Sequence, residues 1–323
     1  MGVEAGLLLQ RELAEVDALI RASIRSDESL LTEIAEYVIG AGGKRVRPQV
    51  TLLAFRAVGG GDPAAAIRIA AALELIHSAS LLHDDINDGG TLRRGREAAY
   101  RKFGLQNALV TGDFLYVKSF AIGGKFPEDI IDLTASVCTS LAEGEVRQKR
   151  LAGNVHVTRE EYLDVIRRKT ALPISAGARI GALLGGGRPE EIDALTEYGL
   201  NLGIAFQVVD DILDVVGDER VLGKRVGSDV FEGNVTLLSI HALNDGATID
   251  TRLLARLLRK KRKSEAEVSR ALDLIRQSGA VEKARVDAGR YGYLAKRALD
   301  GLRDTAAKAD LLDLADFVVS REQ

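Results

Sequence analysis

Apolar residues recur at helical spacing along most of the chain. Leu8, Leu9, Leu13, Val16 and Ile20 fall on one stripe, with charged residues on the other side. That is the pattern of an amphipathic helix. The same period predicts helices over 30–39, 65–83, 108–122, 130–151, 159–167, 189–216 and 281–299. Convincing apolar–polar alternation of the strand type is absent. Glycine clusters at 40–43, 59–61, 89–90, 123–124 and 185–187 act as helix stops and turns. Thr158 with Glu161 resembles a capping box. No repeat and no shift in composition marks a linker. The expectation is an all-α fold, a bundle of long helices forming one domain over 1–323.

Composition narrows this further. The chain has 323 residues, 46% of them hydrophobic, which supplies a sizeable core and excludes wholesale disorder. Five prolines favour long uninterrupted helices. Lys plus Arg is 44 against 47 Asp plus Glu, a net charge of −3, which argues against a nucleic-acid partner. One cysteine, Cys138, excludes an internal disulfide framework and a multi-cysteine zinc site. It reads as a packing residue and agrees with a reducing, cytoplasmic setting. The N-terminus carries Glu4, Arg11 and Glu12 and reads as a helix, not a signal peptide. The richest apolar run, 64–76, is broken by Arg68 and Glu74, so no membrane span is expected. Arg259, Lys260, Lys261, Arg262 and Lys263 form a basic run. It reads as a solvated helix end before a Ser264 cap, with peripheral contact to anionic lipid as the alternative.

Two segments break the amphipathic rule in the same way. Each places three carboxylates at i, i+1 and i+4 inside an apolar helix: Asp84, Asp85 and Asp88, then Asp210, Asp211 and Asp214. Spacing i, i+4 stacks like charges on one face, and burial makes their repulsion costly. A cation must compensate. Oxygen ligands without a matching His or Cys set point to a hard ion, and Mg²⁺ is the usual one. Mg²⁺ prefers one or two carboxylates plus substrate phosphates, so a phosphorylated small molecule is implied. Cations for it are present. Gly42, Gly43, Lys44, Arg45 and Arg47 form a glycine-hinged basic loop. It is not a Walker A loop, because position 38 is Val and Arg45 stands where Ser or Thr is needed. Arg93, Arg94, Lys169 and Lys224 add to the set, which suggests two anion pockets around a metal centre.

At these residues the sequence resembles the trans-isoprenyl diphosphate synthases, or polyprenyl synthetases. The resemblance runs from about Leu31 to Arg321. It rests on Gly-Gly-Lys-Arg-x-Arg-Pro at 42–48, the first acidic segment with Arg93, Arg94 and Gly95, and Lys169-Thr170. It also rests on Phe206-Gln207 before the second acidic segment, Gly223-Lys224, and Gly227-Ser228-Asp229. It implies an isoprenoid-synthase bundle around a central cavity, a homodimer, and Mg²⁺ with three ions per site once substrate is bound. The implied reaction joins isopentenyl diphosphate head to tail to an allylic diphosphate, releasing pyrophosphate and an all-trans polyprenyl diphosphate.

By the same resemblance, Asp84, Asp85, Asp88, Asp210 and Asp211 would hold the metal, with Asp214 acting nearby through water. Arg93, Lys169 and Lys224 would bind the allylic diphosphate. Lys44, Arg47 and Arg94 would clamp isopentenyl diphosphate, with His77 at the wall. Thr170 and Gln207 would face the allylic cation, and released pyrophosphate would take the final proton. Asn234 stands where the family usually has Lys, so one cation is missing. Ala79 and Ser80, one turn before Asp84, are small. They imply an open tunnel and a product of C25 or longer, hexaprenyl to decaprenyl, with Leu73, Ile76, Phe114 or Phe120 as a deeper floor. The alternatives are a short-chain farnesyl or geranylgeranyl diphosphate synthase, or the non-catalytic subunit of a heteromeric synthase. An HD-type phosphohydrolase, suggested by His83-Asp84, leaves the second acidic segment unexplained. A terpene cyclase leaves Lys44, Arg47 and Arg94 unexplained.

Overall fold

The computed structural model describes residues 3–218, 226–244 and 248–321. The N-terminal half consists of α1 (Val3–Ser23), α2 (Ser29–Ile39), α3 (Val46–Ala57), α4 (Ala64–Asp88), α5 (Ala99–Phe103), α6 (Leu105–Gly123) and α7 (Glu128–Leu151). The remainder consists of α8 (Arg159–Ile166), α9 (Leu172–Leu184), α10 (Pro189–Val216), α11 (Ser228–Glu232), α12 (Leu237–Asn244), α13 (Thr251–Arg259), α14 (Glu265–Gln277), α15 (Ala280–Ala298) and α16 (Ala306–Ser320). Every helix expected from periodicity is present. The Thr158–Glu161 capping box starts α8, and Ser264 with Glu267 caps α14 directly after the basic run.

Helix α10 is apolar nearly all round and is buried among α9, α15 and α16. Its Gly199 permits the approach of α9: a Cβ there would lie 2.7 Å from the Ser175 Cα. Helix α4 is the counterpart on the other side, packed against α1, α3 and α6. By length and composition it could cross a membrane, yet 72% of its apolar window is buried inside the bundle. Each of these two core helices carries one acidic segment near its C-terminal end.

Three local features were not expected. The basic loop is shorter than its sequence suggests, because α3 begins at Val46 and carries Arg47 and Pro48 in its first turn, where proline costs no helical hydrogen bond. A two-residue hairpin, β1 (Leu92–Arg93) and β2 (Arg96–Glu97), follows the first acidic segment. Arg94 and Gly95 have φ of 52° and 74°, the left-handed pair that closes a tight hairpin. Finally, α8 and α9 are joined by a π-helical turn, Arg167–Ala171, in which the Leu172 amide bonds Arg167 O. Pro173 lacks the amide that would bond the Lys169 carbonyl. The widened turn carries Lys169 and Thr170, and such bulges concentrate at functional sites.

Candidate active site

The C-terminal ends of α4 and α10 open onto one cavity of about 1470 Å³. Asp84, Asp85 and Asp88 line one side and Asp210 and Asp211 the other. Burial pushes the Asp84 carboxyl up to about 6, against the pull of Lys169. Asp85 is raised by burial too, while its pair with Arg93, whose Nε and Nη2 both donate to Oδ1, works the other way; the Arg93 Nε–Oδ1 distance is 2.9 Å. Asp88 is paired with Lys149. Burial works against the Lys169 charge, but Asp84 and Glu145 outweigh it and hold the ammonium above its ordinary value. Lys169 is tied to Glu145 and to Gln148 Oε1 at 2.6 Å.

The three carboxylates of the second acidic segment have different surroundings. Asp210 is ion-paired with Arg321. Asp211 is fully enclosed. It accepts from Gln207 Nε2 at 2.9 Å and from the Tyr162 hydroxyl at 2.7 Å. Burial, then Asp229, drives its carboxyl well above the ordinary range. Thr170 Oγ1 donates to Gln207 Oε1 at 2.7 Å, so Thr170, Gln207, Asp211 and Tyr162 form one chain of hydrogen bonds. Asp214 does not reach the cavity wall. It is 1% exposed and accepts from Ser228 Oγ at 2.6 Å and the Asp229 amide at 3.0 Å. Four residues on from Asp210 it shares the face, but the turn at 227–229 has folded over it.

Beside the acidic centre lies a cationic pocket built from Lys44, Arg47, His77 and Arg94. Arg45, in the same loop, is committed elsewhere, to Glu74 at 2.6 Å and Asp17 at 3.0 Å. Arg47 is enclosed, and its Nε has no hydrogen-bond partner. Burial, then Arg47 and Arg94, drives His77 well below its ordinary value, so it is neutral. Gly43 makes room for Arg94: a Cβ there would lie 2.8 Å from Nη2, and its φ is +150°. The third expected cation of the metal side, Lys224, lies outside the described residues.

The sequence reading missed several residues that the fold brings here. Glu145 and Gln148 come from the polar face of α7. Arg321, at the end of α16, stacks on Phe206 with 4.0 Å to the ring centroid and donates to Phe206 O at 2.9 Å. No local motif flags it. Asn234 is buried and donates to Glu232 Oε2 at 2.9 Å and to Asp229 Oδ1 at 3.3 Å. With no lysine at 234, burial, then Asp88 and Asp229, raises Glu232 to about 8.

The tunnel residues also differ from expectation. Ser80 lines the cavity, but Ala79 is 0% exposed and faces the core with Ile20, Ile24 and Leu75. One residue turns a helix by 100°, so positions four and five before Asp84 do not share a wall. Phe114 and Phe120 do not line the cavity, whereas Tyr116 and Cys138 do. Cys138 packs against the Ile69–Leu73–Ile76 cluster, as expected, and also lines the cavity, its thiol raised by burial.

Two facing acidic segments, a cationic pocket beside them and an apolar recess beneath define a prenyltransferase-type centre. Residues 28–275 match the polyprenyl synthetase family, and the chain belongs to it. It is 39% identical over 322 residues to the short chain isoprenyl diphosphate synthase of Methanothermobacter thermautotrophicus, covering 98% of each chain. It is 35% identical to the octaprenyl diphosphate synthase of Escherichia coli K12, again covering 98% of each. A crystal structure of polyprenyl synthase from Caulobacter crescentus CB15, complexed with calcium and isoprenyl diphosphate, superposes with a TM-score of 0.94 at 36% identity, covering 98% of this chain and 96% of that one. Further relatives are named from geranylgeranyl to decaprenyl diphosphate synthase. The protein is a prenyltransferase of this family.

Proposed function

We propose that this chain, as one domain, is a Mg²⁺-dependent synthase that adds isopentenyl diphosphate to an allylic diphosphate with release of pyrophosphate. The juxtaposition of the acidic centre with the Lys44–Arg47–Arg94 pocket supports this most directly. It provides separate seats for two diphosphates of different role. The chemistry of the set suits a hard cation: Asp84, Asp88 and Asp210 offer carboxylate oxygens to one cavity, and burial disfavours the Asp84 charge. These residues would hold Mg²⁺, which supplies Lewis-acid stabilisation of the leaving diphosphate. Three ions would fill the site with substrate present.

The protein's own groups divide the work. Arg93 and Lys169 bind the allylic diphosphate and stabilise the charge that grows as its C–O bond breaks. Lys224 joins them. Lys44, Arg47 and Arg94 hold isopentenyl diphosphate, the guanidinium forks matching phosphate oxygens. Arg47 is already desolvated, so it offers an unpaired donor at no further burial cost. Neutral His77 closes the wall without repelling the allylic cation. Thr170 and Gln207, locked by their mutual hydrogen bond, present fixed dipoles to that cation. The apolar recess keeps water from quenching it. Released pyrophosphate takes the proton.

The short-chain alternative is favoured over a product of C25 or longer. The wall of α7 runs from Glu145 to Cys138, about 10 Å at 1.5 Å per residue. An extended isoprene unit, four bonds of about 1.5 Å in zigzag, takes roughly 5 Å. That depth takes about two units below Glu145, which suits a short product better than one of C25 or longer. The 39%-identical relative is a short-chain enzyme. The small Ser80 still supports the longer reading, as does the octaprenyl relative. A homodimer is supported by the exposed apolar side chains of α6, Leu109, Val110, Val117 and Phe120. We place the enzyme in the cytoplasm, with any membrane contact peripheral and made through the exposed residues 259–262 of the basic run, Lys263 being buried.

Pyrophosphate release tests the reading. It should require both substrates and Mg²⁺ and stop with chelator. Release from the allylic substrate alone at the same rate would contradict a condensing enzyme.

A further inference from the structure

We propose that Lys149, on α7, supplies the diphosphate-binding cation that position 234 lacks, as a further contact to the phosphates of the allylic substrate. This deepens the elongation reading above and rests on it. Asn234 lines the cavity, is neutral, and faces Glu232 and Asp229 on the same wall. The 229–234 turn therefore brings two carboxylates and no cation of its own to a wall where an anion must bind. Lys149 answers from a different helix. Its ammonium is ion-paired with Asp88, the last residue of α4, and lies 3.4 Å from Asn87 O. Burial, then Asp88 and Asp229, raises the Glu232 carboxyl, and the Lys149 charge pulls against them. The ammonium thus acts on both the end of α4 and the 229–234 turn.

The placement follows from α7. Glu145, Gln148 and Lys149 fall at i, i+3 and i+4, on one face of that helix. Glu145 and Gln148 hold Lys169, which is seated on the allylic diphosphate. The same face therefore positions one lysine and carries a second one turn further on. Asp88 is among the carboxylates that would hold Mg²⁺, so a diphosphate bound through that ion lies beside the Lys149 ammonium. Lysine suits delivery from a different backbone position, because its four-carbon stem is flexible and its three donors rotate. The Lys149 side chain is 40% exposed. Its pair with Asp88 therefore contributes little to stability, and the ammonium can turn to a phosphate oxygen at small cost. Lys263 also approaches the turn, its Nζ 3.7 Å from where a Gly233 Cβ would stand, but the carboxylate that acts on it is Glu267.

The test compares the full-length wild type with Lys149→Met, Lys149→Arg and the double variant Lys149→Met with Asn234→Lys. Calorimetric titration with inorganic pyrophosphate, with and without Mg²⁺, reads binding apart from turnover, and thermal melts read folding. Lys149→Met should weaken Mg²⁺-dependent pyrophosphate binding roughly tenfold and raise the KM for the allylic diphosphate by a similar factor, the loss of one charged hydrogen bond. The KM for isopentenyl diphosphate should hold. Lys149→Arg should recover most of the binding, and Asn234→Lys should restore it in the Lys149→Met background. Unchanged pyrophosphate affinity in Lys149→Met, whatever its melting temperature, overturns the assignment by leaving Lys149 a brace between α7 and α4. Failure of Asn234→Lys to restore binding overturns it as well. A wild type that condenses no starter overturns the elongation reading instead, and the pyrophosphate titration still decides on Lys149.

Discussion

Arg321, the last described residue of the chain, is ion-paired with Asp210, the first carboxylate of the second acidic segment, 111 positions earlier. The contact joins the C-terminus to the acidic centre and, through Lys44, to the cationic pocket. Arg321 lowers the Lys44 ammonium, second to burial itself. Replacing Arg321 with Ala removes the ion pair and the stack on Phe206. Because Asp210 is 35% exposed, the expected loss of stability is modest, about 1–3 kcal/mol. The catalytic loss should be of similar size in free energy, roughly tenfold or more in kcat/KM, since a tenfold change needs only about 1.4 kcal/mol. Arg321→Lys should recover part of it, keeping charge but not the stacked fork. Steady-state kinetics beside thermal melts separate the two effects.

The carboxylates of the second segment should not respond alike. Asp210→Asn should lower kcat by roughly 100-fold or more and raise the Mg²⁺ concentration for half-maximal rate. Asp214→Asn should leave that Mg²⁺ concentration unchanged and lower the melting temperature. Its carboxylate accepts a hydroxyl and an amide of the 227–229 turn. A Mg²⁺ titration of both variants decides between a ligand and a brace.

Gly43 offers a selective lesion. Gly43→Ala puts a methyl where the Arg94 guanidinium lies and strains a backbone with φ of +150°. The KM for isopentenyl diphosphate should rise roughly tenfold, the cost of one displaced charged hydrogen bond. The KM for the allylic substrate should hold, because Arg93 and Lys169 do not touch this glycine.

Most of the fold was legible because the period of α4, α7 and α10 is unbroken over many turns. The acidic segments were legible because carboxylates at i and i+4 inside an apolar helix have few explanations. What could not be read depends on tertiary placement. Asp214 has the same local pattern as Asp88, but the turn at 227–229, some 14 residues on, folds back and covers it. Ala79 and Ser80 are neighbours in sequence, and only the packing of α1 against α4 turns one inward and leaves the other on the wall. Arg321 and Tyr116 carry no motif, since each reaches the cavity wall only through where its helix ends up. The hairpin that presents Arg93 and Arg94 is too short for strand alternation to reveal.

Glu232 gives a pH signature. Its carboxyl, ordinarily near 4.5, is raised to about 8 in the folded chain. Between those values the folded state keeps a proton that the unfolded state has lost. Stability must therefore fall as pH rises through that window. Glu232→Gln removes the penalty while keeping an acceptor for Asn234. It should gain about 2–4 kcal/mol at pH 9 and almost nothing at pH 4.5, read from metal-free melts. Asn234→Lys, which restores a cation beside Glu232 and Asp229, should flatten the same pH dependence. If the missing lysine limits turnover, it should also tighten substrate binding.

The central claim is condensation in this cavity. Purified protein with Mg²⁺, radiolabelled isopentenyl diphosphate and, in separate reactions, C5, C10, C15 and C20 allylic diphosphates gives products that can be dephosphorylated and sized. The account predicts elongation of the shorter starters, ending near C15–C20 and absent without Mg²⁺. No labelled product from any starter in the presence of Mg²⁺ would contradict it.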